Sequence, residues 1–119
     1  MIITLPWPHR DLFPNRKGGR HWAGFQRAKE SARMDGYMAA KEALGRTKAS
    51  LNDREPVRIT FHCPDRRKRD MDGLHGAIKH HLDGIAKALG VDDSIFRPVT
   101  LTDALDVGKR GFVTVEIGE

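Results

Sequence analysis

Apolar residues alternate with polar ones in four segments of the chain, and this period of two predicts β-strands. The clearest segment is residues 57–63, where every second residue is apolar. Residues 2–7 predict a shorter strand, and residues 95–101 and 112–117 alternate in the same way. Because a Gly-rich turn at 108–111 separates the last two segments, they predict a C-terminal β-hairpin.

Two other segments carry apolar residues at helical spacing. The first covers residues 22–43, and Gly45 is expected to end it. In the second, residues 73–89, the Leu and Ile positions fall within about 80° of arc, and Gly90 follows. The predicted fold is α+β (mixed α/β), with the order β-α-β-α-β-β. Two main helices would pack against a small mixed sheet in one domain covering residues 1–119.

Most aromatic residues have a structural interpretation. Trp22 and Phe25 stand at helical spacing, and Phe61 belongs to the apolar face of a strand, so all three are predicted to lie in the core. Phe13, in the basic loop of residues 9–21, is the one aromatic residue considered for base contact or strand separation. Packing within that loop is the favoured interpretation.

Composition narrows the class of protein. The 119 residues include one Cys, which excludes an internal disulfide framework and a cysteine-rich zinc module. The N-terminus lacks the basic and apolar regions of a secretory signal, and no stretch approaches the ~20 apolar residues of a membrane span. A cytoplasmic protein without membrane contact is expected. No Gly-rich phosphate loop is present, so no nucleotide cofactor is implied.

The net charge of +5 is unevenly distributed. Residues 1–69 hold 16 Lys and Arg against 7 Asp and Glu, whereas residues 70–119 hold 5 against 9. A basic half suits a polyanion such as DNA, and carboxylates placed against phosphate imply a bound divalent cation. The alternative is an ordinary solvated surface with uneven charge.

The charge changes sign inside one short segment. Arg66, Arg67, Lys68 and Arg69 follow a predicted strand, and Asp70 and Asp72 come next, at the start of a helix. One interpretation is helix capping, because Asp is favourable at a helix N-terminus. The other is a metal site, since Asp-x-Asp can direct two carboxylates at one hard cation.

A second acidic pair, Asp92-Asp93, follows the same helix. From Asp72 to Leu89 is 17 residues, or ~26 Å of helix. Because Mg²⁺ lies about 2.1 Å from its oxygen ligands, Asp93 cannot easily share an ion with Asp70 and Asp72 of its own chain. Either the pair caps a following turn, or an antiparallel two-fold dimer supplies Asp93 from the second chain.

These motifs resemble the RusA family of Holliday junction resolvases. The similar segments are Pro64-Asp65-Arg66-Arg67-Lys68-Arg69-Asp70-Met71-Asp72, Leu82-Asp83 and Gly90-Val91-Asp92-Asp93-Ser94-Ile95. Residues 3–8 and 14–22 also look like the N-terminal region of that family, so the resemblance spans nearly the whole chain. It implies a bacterial or phage-encoded homodimer that nicks two symmetry-related strands of a four-way DNA junction in recombination and repair.

The resemblance also implies a set of functional residues. Asp70, Asp72 and Asp93 match the three catalytic acidic positions that hold Mg²⁺, with Mn²⁺ as an alternative ion. The family usually has a Lys four residues after the second Asp, where this chain has Gly76. Lys79, about 20° away from Asp72 around the helix, is a candidate to replace it, and a solvated lysine is the alternative.

Basic residues would contact the DNA phosphates. The expected contacts come from Arg66, Arg67, Lys68 and Arg69, with Arg16, Lys17 and Arg20 forming a second candidate loop. Gly76 motivates an alternative function, a DNA-binding protein of the same fold with weak or no catalysis. A basic interaction module without a nucleic-acid partner is the third hypothesis.

Overall fold

A computed structural model describes residues 1–13 and 22–118 of the chain. The elements are β1 (Ile2–Pro6), α1 (Trp22–Leu44), β2 (Glu55–Cys63), α2 (Met71–Leu89), β3 (Phe96–Leu105) and β4 (Phe112–Ile117), with 3₁₀ helices at Arg10–Leu12 and Asp93–Ile95. The predicted α+β class and the order β-α-β-α-β-β are confirmed. Glycines in the left-handed conformation follow both long helices, at Gly45 and Gly90, as their sequence positions predict.

The four strands form one mixed sheet in the order β1-β4-β2-β3. β4 is antiparallel to β1 and β2, whereas β3 is parallel to β2. The predicted C-terminal hairpin is therefore wrong, because β3 and β4 lie on opposite sides of β2. The alternation in each segment correctly predicted a strand. The turn residues between β3 and β4, however, do not indicate that a third strand lies between these two in the sheet.

The connection from β3 to β4 crosses the end of β2. The Asp106 N–H donates to the carbonyl of Cys63 at 2.7 Å. The Asp106 carboxylate accepts hydrogen bonds from the N–H groups of Gly108, Arg110 and Gly111 at 2.9–3.1 Å. The Asp106 carboxylate thus stabilises the turn at 108–111 that the sequence predicted. The sequence did not predict that this turn would lie in a connection that crosses the end of β2.

One face of the sheet carries the core. Phe61 and Ile59 of β2 are fully buried, and they share a hydrophobic cluster with Leu74 and Ile78 of α2. Intervening residues of β2 such as Arg58 are exposed. The helices therefore cover one face of the sheet, as the alternation predicts.

Small residues form the buried stripe of α1, which lets the two helices approach closely. A methyl group on Gly36 would overlap the backbone of His81, and one on Gly84 would overlap the backbone of Arg33. Trp22, by contrast, is 75% exposed at the first residue of α1, so its predicted core position is wrong. Phe25, also predicted to lie in the core, is half-buried.

Candidate metal and nucleic-acid site at the ends of α2

The start of α2 presents two carboxylates to solvent. Asp70 is the N-cap, and its Oδ1 accepts a hydrogen bond from the Gly73 N–H at 2.6 Å. Asp72 lies in the first turn, and both residues are exposed. The capping interpretation is therefore confirmed for Asp70. Capping uses one of its two oxygens, and carboxylate oxygens are the ligands that Mg²⁺ prefers.

The basic run before α2 is folded around Arg69. Its guanidinium pairs with the Asp65 carboxylate at 2.8 Å, and lies 5.2 Å from the centre of the Trp7 ring. Arg69 also donates to the carbonyl of Arg67 at 3.0 Å. The Arg67 N–H and the Arg69 side chain, hydrogen-bonded to Asp65, hold the pKa of that carboxyl below its usual value. The segment from 65 to 69 thus has a defined shape.

This arrangement divides the four predicted DNA contacts into two kinds. Arg66, Arg67 and Lys68 are exposed, whereas the Arg69 side chain is only 16% exposed and is engaged by Asp65 and Trp7. A phosphate can therefore approach the first three more freely. A contact between Arg69 and DNA stays a prediction.

A pocket of about 220 Å³ lies beside the basic segment. It is bordered by Cys63, Asp65, Arg66, Arg67 and Arg69 on one side and by Asp103, Ala104 and Leu105 of β3 on the other. The last residues of β2 and β3 are paired, Cys63 with Leu105, because these strands are parallel. The end of β3 and the segment leading to Asp70 therefore share one end of the sheet.

The other end of α2 holds the second acidic pair. Asp92 caps the 3₁₀ helix by accepting from the Ser94 N–H at 3.0 Å, which confirms capping for that residue. A hydrogen bond with Asp83, together with burial, raises the pKa of Asp93 to about 6. Asp93 thus lies beside other carboxyl groups, and a nearby cation would favour its charged form.

A single chain does not bring the three predicted metal ligands together. The unbroken helix α2 has 19 residues, or ~28 Å of length, and separates Asp70 and Asp72 from Asp93. Within residues 1–13 and 22–118, no group of three or more His, Cys, Asp and Glu side chains could hold a metal ion. Carboxylates are suitable ligands for a hard cation, but a complete metal site would need ligands from a second source.

The remaining predicted site residues have different positions. Lys79 is exposed on α2, seven residues after Asp72. Arg16, Lys17 and Arg20 lie outside the described residues. Phe13 is half-buried, and its ring stacks on that of Trp7 at 6.2 Å, so it packs as the favoured interpretation expects.

Sequence reasoning missed two residues that shape the site. Trp7 connects Phe13, Phe61 and Arg69, with ring-centre distances of 6.2 and 6.1 Å to the two phenyl rings. Asp65 pairs with Arg69 four residues later. The acid–base spacing was a usable signal for Asp65, whereas nothing in the sequence connects Trp7 with Phe61 and Arg69, which lie 54 and 62 positions away.

Comparison with known proteins finds a relative of this chain. An uncharacterized protein of Xylella fastidiosa (strain Temecula1) is 37% identical over 97 residues, which cover 79% of this chain and 61% of that protein. The chain therefore spans less than two thirds of that relative's length. The chain matches no protein-family model. No helix among the described residues is long and apolar enough to cross a membrane.

Proposed function

We propose that this protein is a Mg²⁺-dependent endodeoxyribonuclease that resolves Holliday junctions by paired nicks, as a homodimer of the RusA type. One observation carries the proposal: exposed cations in the segment before α2 are followed at once by exposed carboxylates at the N-cap and in the first turn of that helix. Arg66, Arg67 and Lys68 can bind phosphate, and Asp70 and Asp72 follow within four residues. Nucleases that use metal ions need this combination, because bare carboxylates repel the DNA backbone.

The chain's own residues would divide the work. Asp70 and Asp72, with Asp93 of the partner subunit, would hold the ion, and Mn²⁺ is an alternative to Mg²⁺. When bound, the ion lowers the pKa of a coordinated water and neutralises charge on the phosphoryl oxygens. Arg66, Arg67 and Lys68 position the backbone, and phosphate contacts of this kind carry little sequence information. We place the reaction in the cytoplasm, in DNA recombination and repair.

Cleavage of a synthetic four-way junction tests the activity. We expect Mg²⁺-dependent, paired nicks from the wild type and at least a hundred-fold loss in Asp72→Asn, because a neutral amide is a poor ligand for Mg²⁺. Glu42→Gln, an exposed carboxylate of α1, is the matched control and should cleave normally. Equal cleavage by the wild type and Asp72→Asn, or none by either, would contradict the proposal.

Mixing two inactive variants tests whether each metal site is shared. If Asp93 comes from the partner, a heterodimer of Asp70→Asn and Asp93→Asn chains contains one site with no substitution. We expect the mixture to recover single nicks on the junction. A mixture of Asp70→Asn with Asp72→Asn damages both sites and should stay inactive. Recovery in both mixtures, or in neither, argues against a shared site.

A second function is favoured by Gly76, which stands where the RusA family usually has Lys. The chain would then bind branched DNA through Arg66, Arg67 and Lys68 with weak or no cleavage. Junction binding that needs no Mg²⁺, without nicks at any Mg²⁺ or Mn²⁺ concentration, would support this alternative. Absence of junction binding at low salt would exclude both functions.

A further inference from the structure

The helices cover one face of the sheet, and the other face lies open in the part of the chain that the structure describes. Residues of this face such as Arg58 and Thr100 are exposed. Rows of side chains cross the four strands here. One row consists of threonines that lie opposite one another, namely Thr4, Thr114, Thr60 and Thr102. The next row, nearer the basic segment, consists of Pro6, Phe112, His62 and Ala104.

An aromatic pair stands in this second row. The rings of His62 and Phe112 stack with their centres 4.1 Å apart and their planes inclined by 10°. His62 Nε2 is hydrogen-bonded with Thr114 Oγ1 at 3.3 Å, and this bond fixes the orientation of the imidazole ring. Both aromatic side chains are half-buried, so part of each reaches solvent. The pair is thus a planar surface of fixed orientation on the open face.

One side of the aromatic pair is occupied and the other is free. Phe112 lies between Pro6 and His62, whereas His62 lies between Phe112 and Ala104. Neighbouring strands are about 4.8 Å apart, so a ring stacked on the far face of His62 would lie above Ala104. Ala104 carries only a methyl group and is exposed on β3, at the edge of the described sheet. We refer to this space above Ala104 as the edge slot.

The charges beside the edge slot are complementary to a nucleic acid. The segments of residues 64–69 and 106–111 meet at this end of the sheet, where Gly111 lies against the ring of Pro64. Together these segments contain six Lys and Arg residues but two Asp. Backbone N–H groups and an arginine already bind those two carboxylates. The exposed cations, Lys109 among them, therefore remain available to phosphates.

We propose that the edge slot binds an unpaired base of a DNA strand, which stacks on the free face of His62 above Ala104. Aromatic side chains stack on any base because every base has a π face, and neighbouring cations hold the phosphates. Thr102 lies two residues before Ala104 on the same face, so its hydroxyl is placed to hydrogen-bond the base or the sugar.

This inference deepens the proposed function and rests on it for the identity of the strand. An unpaired base enters a slot without the cost of leaving a duplex. The edge slot should therefore favour branched or single-stranded DNA over a paired duplex. It would hold one unpaired base on the open face of the sheet, while the exposed carboxylates at the start of α2 act on the backbone.

Filling the edge slot tests the proposal without any cleavage. Fluorescence anisotropy with a labelled 15-nucleotide thymidine strand in EDTA measures the affinity. Ala104→Leu places a branched side chain in the slot, and we expect about ten-fold weaker binding. Thr100→Leu makes a similar change on the same face of β3, four residues earlier, and should bind as the wild type does. Both variants should bind a duplex equally well, and circular dichroism checks that they fold.

Two outcomes of that experiment would overturn the edge slot. One is a wild type that does not bind the single strand at low salt. The other is equal affinity of Ala104→Leu and Thr100→Leu for that strand. An affinity for the duplex that falls as much as the affinity for the single strand in Ala104→Leu would also contradict it, because paired bases do not enter the slot.

A pair of substitutions at His62 separates stacking from hydrogen bonding. His62→Leu and His62→Phe both remove the bond with Thr114, but only the second keeps a ring. We expect His62→Phe to bind the single strand within two-fold of the wild type and His62→Leu to bind about ten-fold more weakly. A 2-aminopurine base in the thymidine strand reports stacking directly, since its fluorescence is quenched when it stacks. Equal affinity and equal quenching in the two variants would overturn stacking on His62.

Junction cleavage separates this inference from the proposed function. We expect Ala104→Leu to cleave a four-way junction more slowly than Thr100→Leu at protein concentrations below saturation. A wild type that binds single strands through the edge slot but never cleaves junctions would overturn the proposed function and leave the slot in place. Normal junction cleavage by both variants, with equal affinity for the single strand, would overturn the slot and leave the proposed function in place.

Discussion

At the scale of residues, neighbours in sequence have different roles because their surroundings differ. Arg66 and Arg69 are equivalent in a count of charges. The structure leaves Arg66 exposed and holds Arg69 between Asp65 and Trp7. A charge that is already paired offers less to a phosphate than one that is free. Burial and partners, rather than residue type, therefore decide which members of a basic run are available to DNA.

Lys79 allows a direct test of a candidate catalytic residue. If it replaces the lysine expected at position 76, Lys79→Ala should lower junction cleavage at least ten-fold while DNA binding stays nearly unchanged. Lys87→Ala is the control, since Lys87 is an exposed lysine near the other end of α2. Cleavage rates at saturating protein provide the measurement. Equal and near-normal rates for the two variants would make Lys79 a solvated lysine.

His81 predicts a pH-dependent stability. Its side chain is 2% exposed, and burial lowers its pKa from 6.5 to about 4. Below pH 6.5 the unfolded chain takes up a proton that the folded chain refuses until about pH 4. The free energy of unfolding should therefore fall by about 2 kcal/mol between pH 7 and pH 5 through this group.

Urea unfolding at the two pH values checks this expectation. His81→Leu removes the titrating group, so its stability should fall less than that of the wild type between pH 7 and pH 5. His75→Leu, at an exposed residue of the same helix, should retain the full dependence. The same loss of stability in the wild type and His81→Leu would contradict this role of burial.

At the scale of elements, the sequence indicated each helix and strand but not all of their partners. The alternation in residues 57–63 and the helical spacing in 73–89 are local signals, and both elements form. The predicted helix of residues 22–43 shows what helical spacing can and cannot predict. Its spacing identified the helix, but the buried side chains are small residues such as Ala28 and Ala32, and Trp22 is exposed. The packed neighbours of this helix, which are α2, β1 and the 3₁₀ helix at Arg10–Leu12, define which part of its face is covered.

The two glycines at the contact between α1 and α2 should not tolerate substitution. Gly36→Ala or Gly84→Ala would place a methyl group against the backbone of the other helix. Backbone cannot move aside as a flexible side chain can, so we expect each change to lower the free energy of unfolding by about 1–3 kcal/mol. Met38→Ala, at a residue of α1 that is 58% exposed, is the control and should change stability little. Thermal unfolding that shows equal stability for all three variants would contradict the close contact.

At the scale of the whole molecule, the charge distribution predicts how salt weakens DNA binding. Removing two phosphate contacts in Arg66→Ala/Lys68→Ala should reduce the slope of log K against log salt by about 2. Arg46→Ala/Lys48→Ala removes the same two residue types from exposed positions after α1 and should leave the slope nearly unchanged. Fluorescence anisotropy with a labelled junction at several salt concentrations provides the slopes. Equal slopes for the two double variants would place the DNA on another surface.

The sequence alone determined the type and order of the elements, because hydrophobic periodicity and helix-ending glycines act over a few residues. It also determined that Asp70 and Asp72 start a helix and that Asp93 follows that helix at its other end. The tertiary structure decided that β3 and β4 flank β2 and do not pair as a hairpin, since strand order depends on contacts between distant segments. It also decided that Arg69 is held by Asp65 and Trp7 while Arg66 is exposed. Strand order and side-chain contacts of this kind depend on how the sheet and the helices pack, and no local sequence pattern predicts them.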